Sequence, residues 1–263
     1  MLDAAKSDGT VGKALEILDE VSMAGRPLRL SDLLATSSFP KATLYRLLQT
    51  LTSQGMLAYD ADRQTYRPGL RLVRLAHAAW KQSSLAPMAR PYIDALSAEI
   101  GETVHLAQLD DGQVLYVDKR NATAPIEMFS QAGKIGPAYC TGVGKAMLAY
   151  LDPAALESVL QKQAFHAYTE HTLTSAEALR AELAEIRETG VSFDREEHEP
   201  NIICIAAPIL TPAGRVVGGL SVTSTTLRHK LTDLEALKPA LLKAATQIGR
   251  DAADWLFPEQ GRD

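Results

Sequence analysis

Cysteine is scarce in this 263-residue chain, which has only Cys140 and Cys204. Two cysteines cannot make a disulfide scaffold, and they lack the spacing of a zinc site. Long apolar runs are missing as well. The longest, Ile202 to Ala207 ahead of Pro208, falls far short of the ~20 residues that a membrane-spanning helix needs. The N-terminal stretch carries Lys6 and Asp8 and no apolar core, so it does not have the make-up of a secretory signal. No repeat or low-complexity stretch interrupts the chain. With 46% apolar and 22% charged side chains, it reads as a globular chain long enough for two domains, and the expected location is cytoplasmic with no membrane partner.

A net charge of −5 taken alone disfavours a nucleic-acid partner, because polyphosphate repels an acidic surface. The charge is unevenly spread. Residues 1 to 80 hold 10 basic against 8 acidic side chains, residues 81 to 263 hold 17 against 24, and Arg26 to Arg74 alone holds 8 against 3. A basic front module joined to an acidic body is compatible with DNA binding by the first part only.

The front module predicts three helices and a hairpin. Val11, Ala14, Leu15, Leu18 and Val21 recur at helical spacing, and the run stops at Gly25-Arg26-Pro27. Ser31 is placed to cap a short second helix with Leu33 and Leu34. Pro40 fits the first turn of a third helix, which buries Leu44, Leu47, Leu48 and Leu51 and ends near Gly55. Met56 to Tyr59 and Thr65 to Arg67 then flank a five-residue loop, Asp60 to Gln64. This order predicts a winged helix-turn-helix over residues 1–68.

At about 100° per residue the four leucines of the third helix point one way, which leaves Ala42, Tyr45, Arg46 and Gln49 on the opposite face. Lys41 and Arg46 have the chemistry for guanine edges or phosphates, Gln49 for adenine and Ala42 for a thymine methyl. Thr43 suits a phosphate, and Arg63 at the hairpin tip suits the DNA backbone or minor groove. A solvated face on a small structural domain would use the same residue types. The local basic charge, the short second helix and the hairpin in that order favour DNA.

A linker helix is predicted from Leu70 to about Trp80, within residues 69–83, and another helix from about Leu85 to Ile100. Strands follow at Thr103 to Leu109 and Val114 to Lys119 around Asp110-Asp111-Gly112, then at Ile126 to Ser130. Helices are expected at Gly144 to Leu151, Pro153 to Gln161 and Ala176 to Glu188. Further strands are expected at Val191 to Asp194, Ile202 to Leu210 and Val216 to Thr223, and a final helix from about Thr232 to Leu256. Residues 84–263 thus form a second domain, and the chain as a whole is α+β.

Its motifs are mostly negative. Around Gly142 and Gly144 the Walker pattern fails, since Tyr139 stands where a glycine belongs and Ala146 follows Lys145; the dinucleotide pattern fails at Met147. What remains is a helix start whose free N–H groups can hold one carboxylate. Ser221 and Thr223 share one side of a strand. Asp194 can accept a ligand hydroxyl, and Cys204 in an apolar strand reads as a small hydrophobe. Each has an ordinary packing explanation when taken singly.

Five segments together resemble the IclR family of bacterial transcriptional regulators: Val11 to Leu18 (VGKALEIL), Phe39 to Thr50 (FPKATLYRLLQT), Gly101 to Leu106 (GETVHL), Thr141 to Ala149 (TGVGKAMLA) and Asp194 to Pro208 (DREEHEPNIICIAAP). The resemblance spans about residues 10 to 256. It implies a winged helix-turn-helix, a linker helix and a C-terminal α/β effector domain akin to GAF and PAS modules, assembled as homodimers or homotetramers on operator DNA. Ala42 replaces a common serine of that family. For the effector site the resemblance implies the amides of Gly142 and Val143, the side chains of Asp194, Cys204, Ser221 and Thr223, and an apolar wall of Met128, Val143 and Ile202. The implied ligand is a small carboxylate bearing a hydroxyl or keto group, with no cofactor and no metal.

Two other readings stay open: a C-terminal domain that only oligomerises, and a thiol-dependent enzyme using Cys140 or Cys204. Against the enzyme, no two of the six histidines sit at i, i+4, and no G-x-S-x-G elbow occurs. Glu196-Glu197-His198-Glu199 can hold a metal but reads more simply as a solvated turn.

Overall fold

The computed structural model of the protein describes residues 9–124 and 127–253. The chain divides into two compact units, one up to Ala79 and one from Trp80 onward.

In the first unit α1 (Gly9–Met23), α2 (Leu30–Thr36) and α3 (Lys41–Ser53) pack with the strands β1 (Leu28–Arg29), β2 (Leu57–Asp60) and β3 (Thr65–Pro68). The strands form an antiparallel sheet in the order β1-β3-β2. The core joins Ile17, Leu18 and Val21 of α1 to Leu33, to the α3 leucines Leu44, Leu47, Leu48 and Leu51, and to Leu57 and Tyr66 of the hairpin. Val11 and Leu15, which share the helical spacing of α1, are exposed instead.

Local chemistry sets the ends of these helices. Pro40 is the N-cap of α3 rather than its first residue, and its carbonyl accepts from Thr43 and Leu44 N–H at 2.9 and 3.0 Å. Gly55 at φ +70° ends the helix, with Met56 N–H reaching back to Leu51 O at 2.9 Å, a geometry that a side chain at position 55 would strain. Ser31 does not cap α2. The helix starts two residues earlier, after Arg29, and the Asp32 carboxylate accepts the Arg29 N–H at 3.1 Å. The hairpin loop holds four residues rather than five, because Asp60 still pairs with Thr65. Its carboxylate Oδ1 then accepts from Asp62 and Arg63 N–H, both at 3.0 Å. The helix α4 (Leu70–Ser83) runs past the predicted Trp80.

The second unit contains α5 (Ala86–Ile100), β4 (Thr103–Asp110), β5 (Gln113–Arg120), β6 (Ile135–Gly136), α6 (Gly142–Leu148), α7 (Pro153–Lys162), α8 (Ala176–Thr189), β7 (Ser192–Arg195), β8 (Ile202–Leu210), β9 (Val216–Thr225), α9 (Leu231–Glu235) and α10 (Lys238–Asp251). Six strands make one antiparallel sheet in the order β6-β5-β4-β9-β8-β7. One face carries Val104, Leu106, Ile203, Ile205, Leu220 and Val222 against α5 and α10. The other is covered by α6, and α6 packs in turn on α8. The overall class is therefore α+β, a helix-turn-helix unit followed by an α/β unit.

Two expected elements differ. Of the strand at Ile126 to Ser130, Ile126 lies outside the described residues and 127–130 is irregular. Its groups are used elsewhere: Phe129 N–H donates to the Glu199 carboxylate, and the Ser130 hydroxyl bonds to His105. The place beside β5 goes to the two-residue β6. The helix expected from Thr232 is two helices, because Pro239 falls in the first turn of α10 and has no N–H to continue α9. Its predicted end, Leu256, lies outside the described residues.

The helix α10 lies so close to β8 that a Cβ on Gly249 would meet the Leu210 carbonyl oxygen at 1.9 Å. Gly249→Ala is expected to lower stability by about 1–3 kcal/mol, read from the midpoint of urea unfolding. An unchanged midpoint would contradict this packing.

Candidate functional site

In the first unit, burying the four leucines of α3 leaves Lys41, Ala42, Tyr45, Arg46 and Gln49 exposed on its outer side, with Thr43 half-buried at the edge. Arg63 is exposed in the hairpin loop. An open groove of about 420 Å³ separates α3 from the hairpin, lined by Tyr45, Gln49, Thr52, Ser53, Tyr59 and Tyr66. Tyr59 packs against Tyr66, with the rings tilted by 42° and their centroids 4.8 Å apart. The hairpin aromatics were not legible as part of this face, because nothing in their spacing tells which side of a four-residue strand meets α3.

In the second unit the strand register gathers a polar set on one face. Asp194 pairs with Cys204, Cys204 with Thr223, and Thr223 with Thr103; one row along, Ser192 pairs with Ala206, Ala206 with Ser221, and Ser221 with His105. Alternation puts both rows on the same side of the sheet. The start of α6 lies directly above them. A Cβ on Gly142 would meet Cys204 Sγ at 2.4 Å, so only glycine allows this approach.

Between the sheet, α6 and the segments carrying Ser130 and His198-Glu199 lies a cavity of about 30 Å³, room for roughly two water molecules. Gly142, Val143, Asp194, Ile202, Cys204, Ser221 and Thr223 all line it. Met128 is buried but is not among the lining residues. Sequence reasoning missed His105, Tyr116, Ser130, Thr141, His198 and Glu199, which also line it. No lining residue is Lys or Arg, so an anion here meets only N–H, O–H and S–H donors.

Burial dominates the electrostatics. Asp194 is pushed up to about 7, first by burial and then by the nearby Glu197 carboxylate; the Glu197 N–H, which donates to Asp194 Oδ1 at 2.8 Å, works the other way. His105 is pushed down to about 3 by burial and by Lys119. Burial also raises the Cys140 and Cys204 thiols well above their usual range, which leaves them poor nucleophiles. Burial works against the Glu199 carboxyl, yet His198 and the Phe129 N–H hold it below the usual value. Beside the cavity, Lys145 of α6 is 0% exposed and paired with both Glu197 and Glu182, the latter at 3.1 Å. Among the described residues no group of three or more His, Cys, Asp or Glu side chains is placed to hold a metal ion, and no helix is long and apolar enough to cross a membrane.

Residues 10–61 match the family described as IclR helix-turn-helix domain, and residues 77–250 that described as Bacterial transcriptional regulator IclR C-terminal. The chain is similar to the HTH-type transcriptional regulator KdgR of Escherichia coli, 32% identical over 94% of both chains. It is also similar to the regulator BhcR of Paracoccus denitrificans, 32% identical over 94% of this chain and 89% of that one. The crystal structure of the Thermotoga maritima IclR superposes with a TM-score of 0.75 at 27% identity, covering 93% of this chain and 98% of that chain.

Asp194 and His105 make opposite contributions to stability across pH. With a folded value near 7 against a usual 3.8, Asp194 keeps its proton on folding, so its contribution is full below about pH 4 and is lost as pH rises to 7. His105, near 3 against 6.5, contributes fully above pH 6.5 and loses its share as pH falls toward 3. Asp194→Asn removes only the first contribution. The variant is expected to gain thermal stability relative to the parent between pH 5 and pH 8, and a difference that does not change with pH would contradict this assignment.

Proposed function

The chain belongs to the IclR family of bacterial DNA-binding transcriptional regulators, and from that premise we propose that it is the repressor of a catabolic operon, controlled by a small carboxylate entering the cavity of its second unit. In this reading residues 1–68 bind the operator, 69–83 form a linker helix and 84–263 sense the ligand. The observation that carries it is the convergence of Gly142, Val143, Asp194, Cys204, Ser221 and Thr223 on one cavity. Four polar side chains around so small a space suit a compact acid with a hydroxyl or keto group better than a purely structural core. The protonated, buried thiols support regulation rather than thiol catalysis.

On the DNA side, Arg46 and Gln49 read base edges from the exposed face of α3, Lys41 and Tyr45 flank them, Ala42 meets a thymine methyl, and Thr43 and Arg63 hold phosphates. The protein works as a homodimer or homotetramer, whose recognition helices must meet half-sites about 34–36 Å apart or a multiple of that. A cavity of about 30 Å³ must widen to take even a three-carbon acid. That movement, passed along α4, changes the spacing, and the ligand shifts the equilibrium only by its differential affinity for the two arrangements.

Fluorescence anisotropy with the DNA upstream of its own gene tests the first half. Arg46→Ala is expected to weaken binding by about 1–3 kcal/mol, and Arg63→Ala to weaken it uniformly while reducing the salt slope by about 1. Failure of the parent chain to bind that DNA at low salt would end this reading. For the second half, an acid at 100 times its dissociation constant stabilises the chain by about 2.7 kcal/mol, visible as a thermal shift.

A further inference from the structure

Resting on the sensing role of this cavity, we propose that His105 divides hydrogen-bonding polarity between Ser130 and Thr223, so that this end of the cavity selects a ligand hydroxyl over a keto or carboxylate oxygen. The imidazole is 2% exposed and lies between the two side chains. Nε2 is 2.8 Å from Ser130 Oγ, and Nδ1 is 3.3 Å from Thr223 Oγ1. All three residues line the cavity, and among the described residues neither hydroxyl has another hydrogen-bond partner.

A neutral imidazole has one N–H and one bare nitrogen. Burial and the neighbouring Lys119, whose ammonium donates to Ser130 O at 2.9 Å, keep this ring neutral and outweigh the Ser130 backbone carbonyl, which works the other way. Whichever tautomer is present, one hydroxyl must donate to the bare nitrogen and so shows the cavity only its lone pairs. The other accepts from the N–H and keeps its own proton for the cavity. The two oxygens are therefore of opposite polarity. A ligand hydroxyl donates to one and accepts from the other, whereas a carbonyl or carboxylate oxygen can only accept and leaves the second unmatched. Sites built to pair a ligand hydroxyl reject analogues that lack it far more strongly than apolar pockets reject a missing methylene.

Calorimetric titration of the full chain tests this with matched acids: lactate against pyruvate, malate against oxaloacetate, and 4-hydroxybenzoate against benzoate. For each skeleton that binds, the hydroxy acid is expected to bind about tenfold or more tightly than its partner. His105→Phe frees both hydroxyls to rotate, so the ratio should fall to within about twofold. His105→Gln, whose amide again offers one donor and one acceptor, should restore part of the preference. Loss of binding to both partners alike, or an unchanged ratio in His105→Phe, overturns the proposal. Should that variant not fold, Ser130→Ala serves instead: a lost preference supports the proposal and a retained one overturns it. Binding without discrimination by the parent chain leaves the sensing role standing and defeats the polarity argument. Binding of none of the acids defeats the sensing role itself.

Discussion

The ammonium of Lys145 has no access to water, and α6 can rest on the sheet only because carboxylates meet it there. Glu197, from the segment after β7, and Glu182 of α8 both reach it, and Glu182 also binds Arg195 at 2.8 Å. Removing one partner of such a pair costs about 3–5 kcal/mol, while the intact pair adds little over an apolar contact. Its value is therefore positional. One side chain ties together a helix, the helix packed on it and the turn that follows an edge strand, and the cavity is the space left among these parts.

The tie runs on to the cavity by one further bond. Glu197 donates its N–H to Asp194 and accepts at its carbonyl from the Thr172 hydroxyl at 2.6 Å. The proton on Asp194 is thus set partly by a carboxylate that belongs to the ion pair. An anionic ligand arriving in a cavity lined by neither Lys nor Arg favours that proton, since it removes a like charge and supplies a donor.

Within a single element, periodicity was a good guide. The four leucines of α3 fixed its buried and outer faces, the Asp111-Gly112 turn set the β4–β5 hairpin, and Ser221 and Thr223 do share a face. Pairing across strands was not legible. His105 meets Ser221 and Thr223 only through the register of β4 on β9, which no local pattern encodes, and Ser130 reaches His105 from an irregular segment. Lys145 came up in the sequence only as part of a failed phosphate loop. A lysine inside an otherwise apolar helix was a signal that a carboxylate would have to meet it. From the sequence, Glu196 to Glu199 is one turn, solvated or metal-holding. The structure splits it, with Glu197 turned to Lys145 and His198 and Glu199 to the cavity.

The walls of the cavity are not equally firm. On the sheet side, Asp194, Cys204, Thr223 and Thr103 lie in one row of paired strands, and moving any of them means breaking backbone ladders. On the α6 side, Gly142 already sits against Cys204 while Lys145 anchors the same helix from behind. The third wall is lighter. It has no strand pairing in either segment: His198 touches Phe129 and Tyr168, at 5.2 and 4.9 Å between ring centroids, Phe129 N–H donates to Glu199, and Ser130 is bonded to His105 and Lys119. Aromatic contacts of this kind are worth about 0.5–1.5 kcal/mol each beyond their buried area, against 3–5 kcal/mol for stranding a buried charge. In the proposed sensing role, the cavity has its least costly direction of growth on that side. The residues that would move, His198 and Glu199, lie next in the chain to Glu197, so widening the cavity loads the ion pair that holds α6.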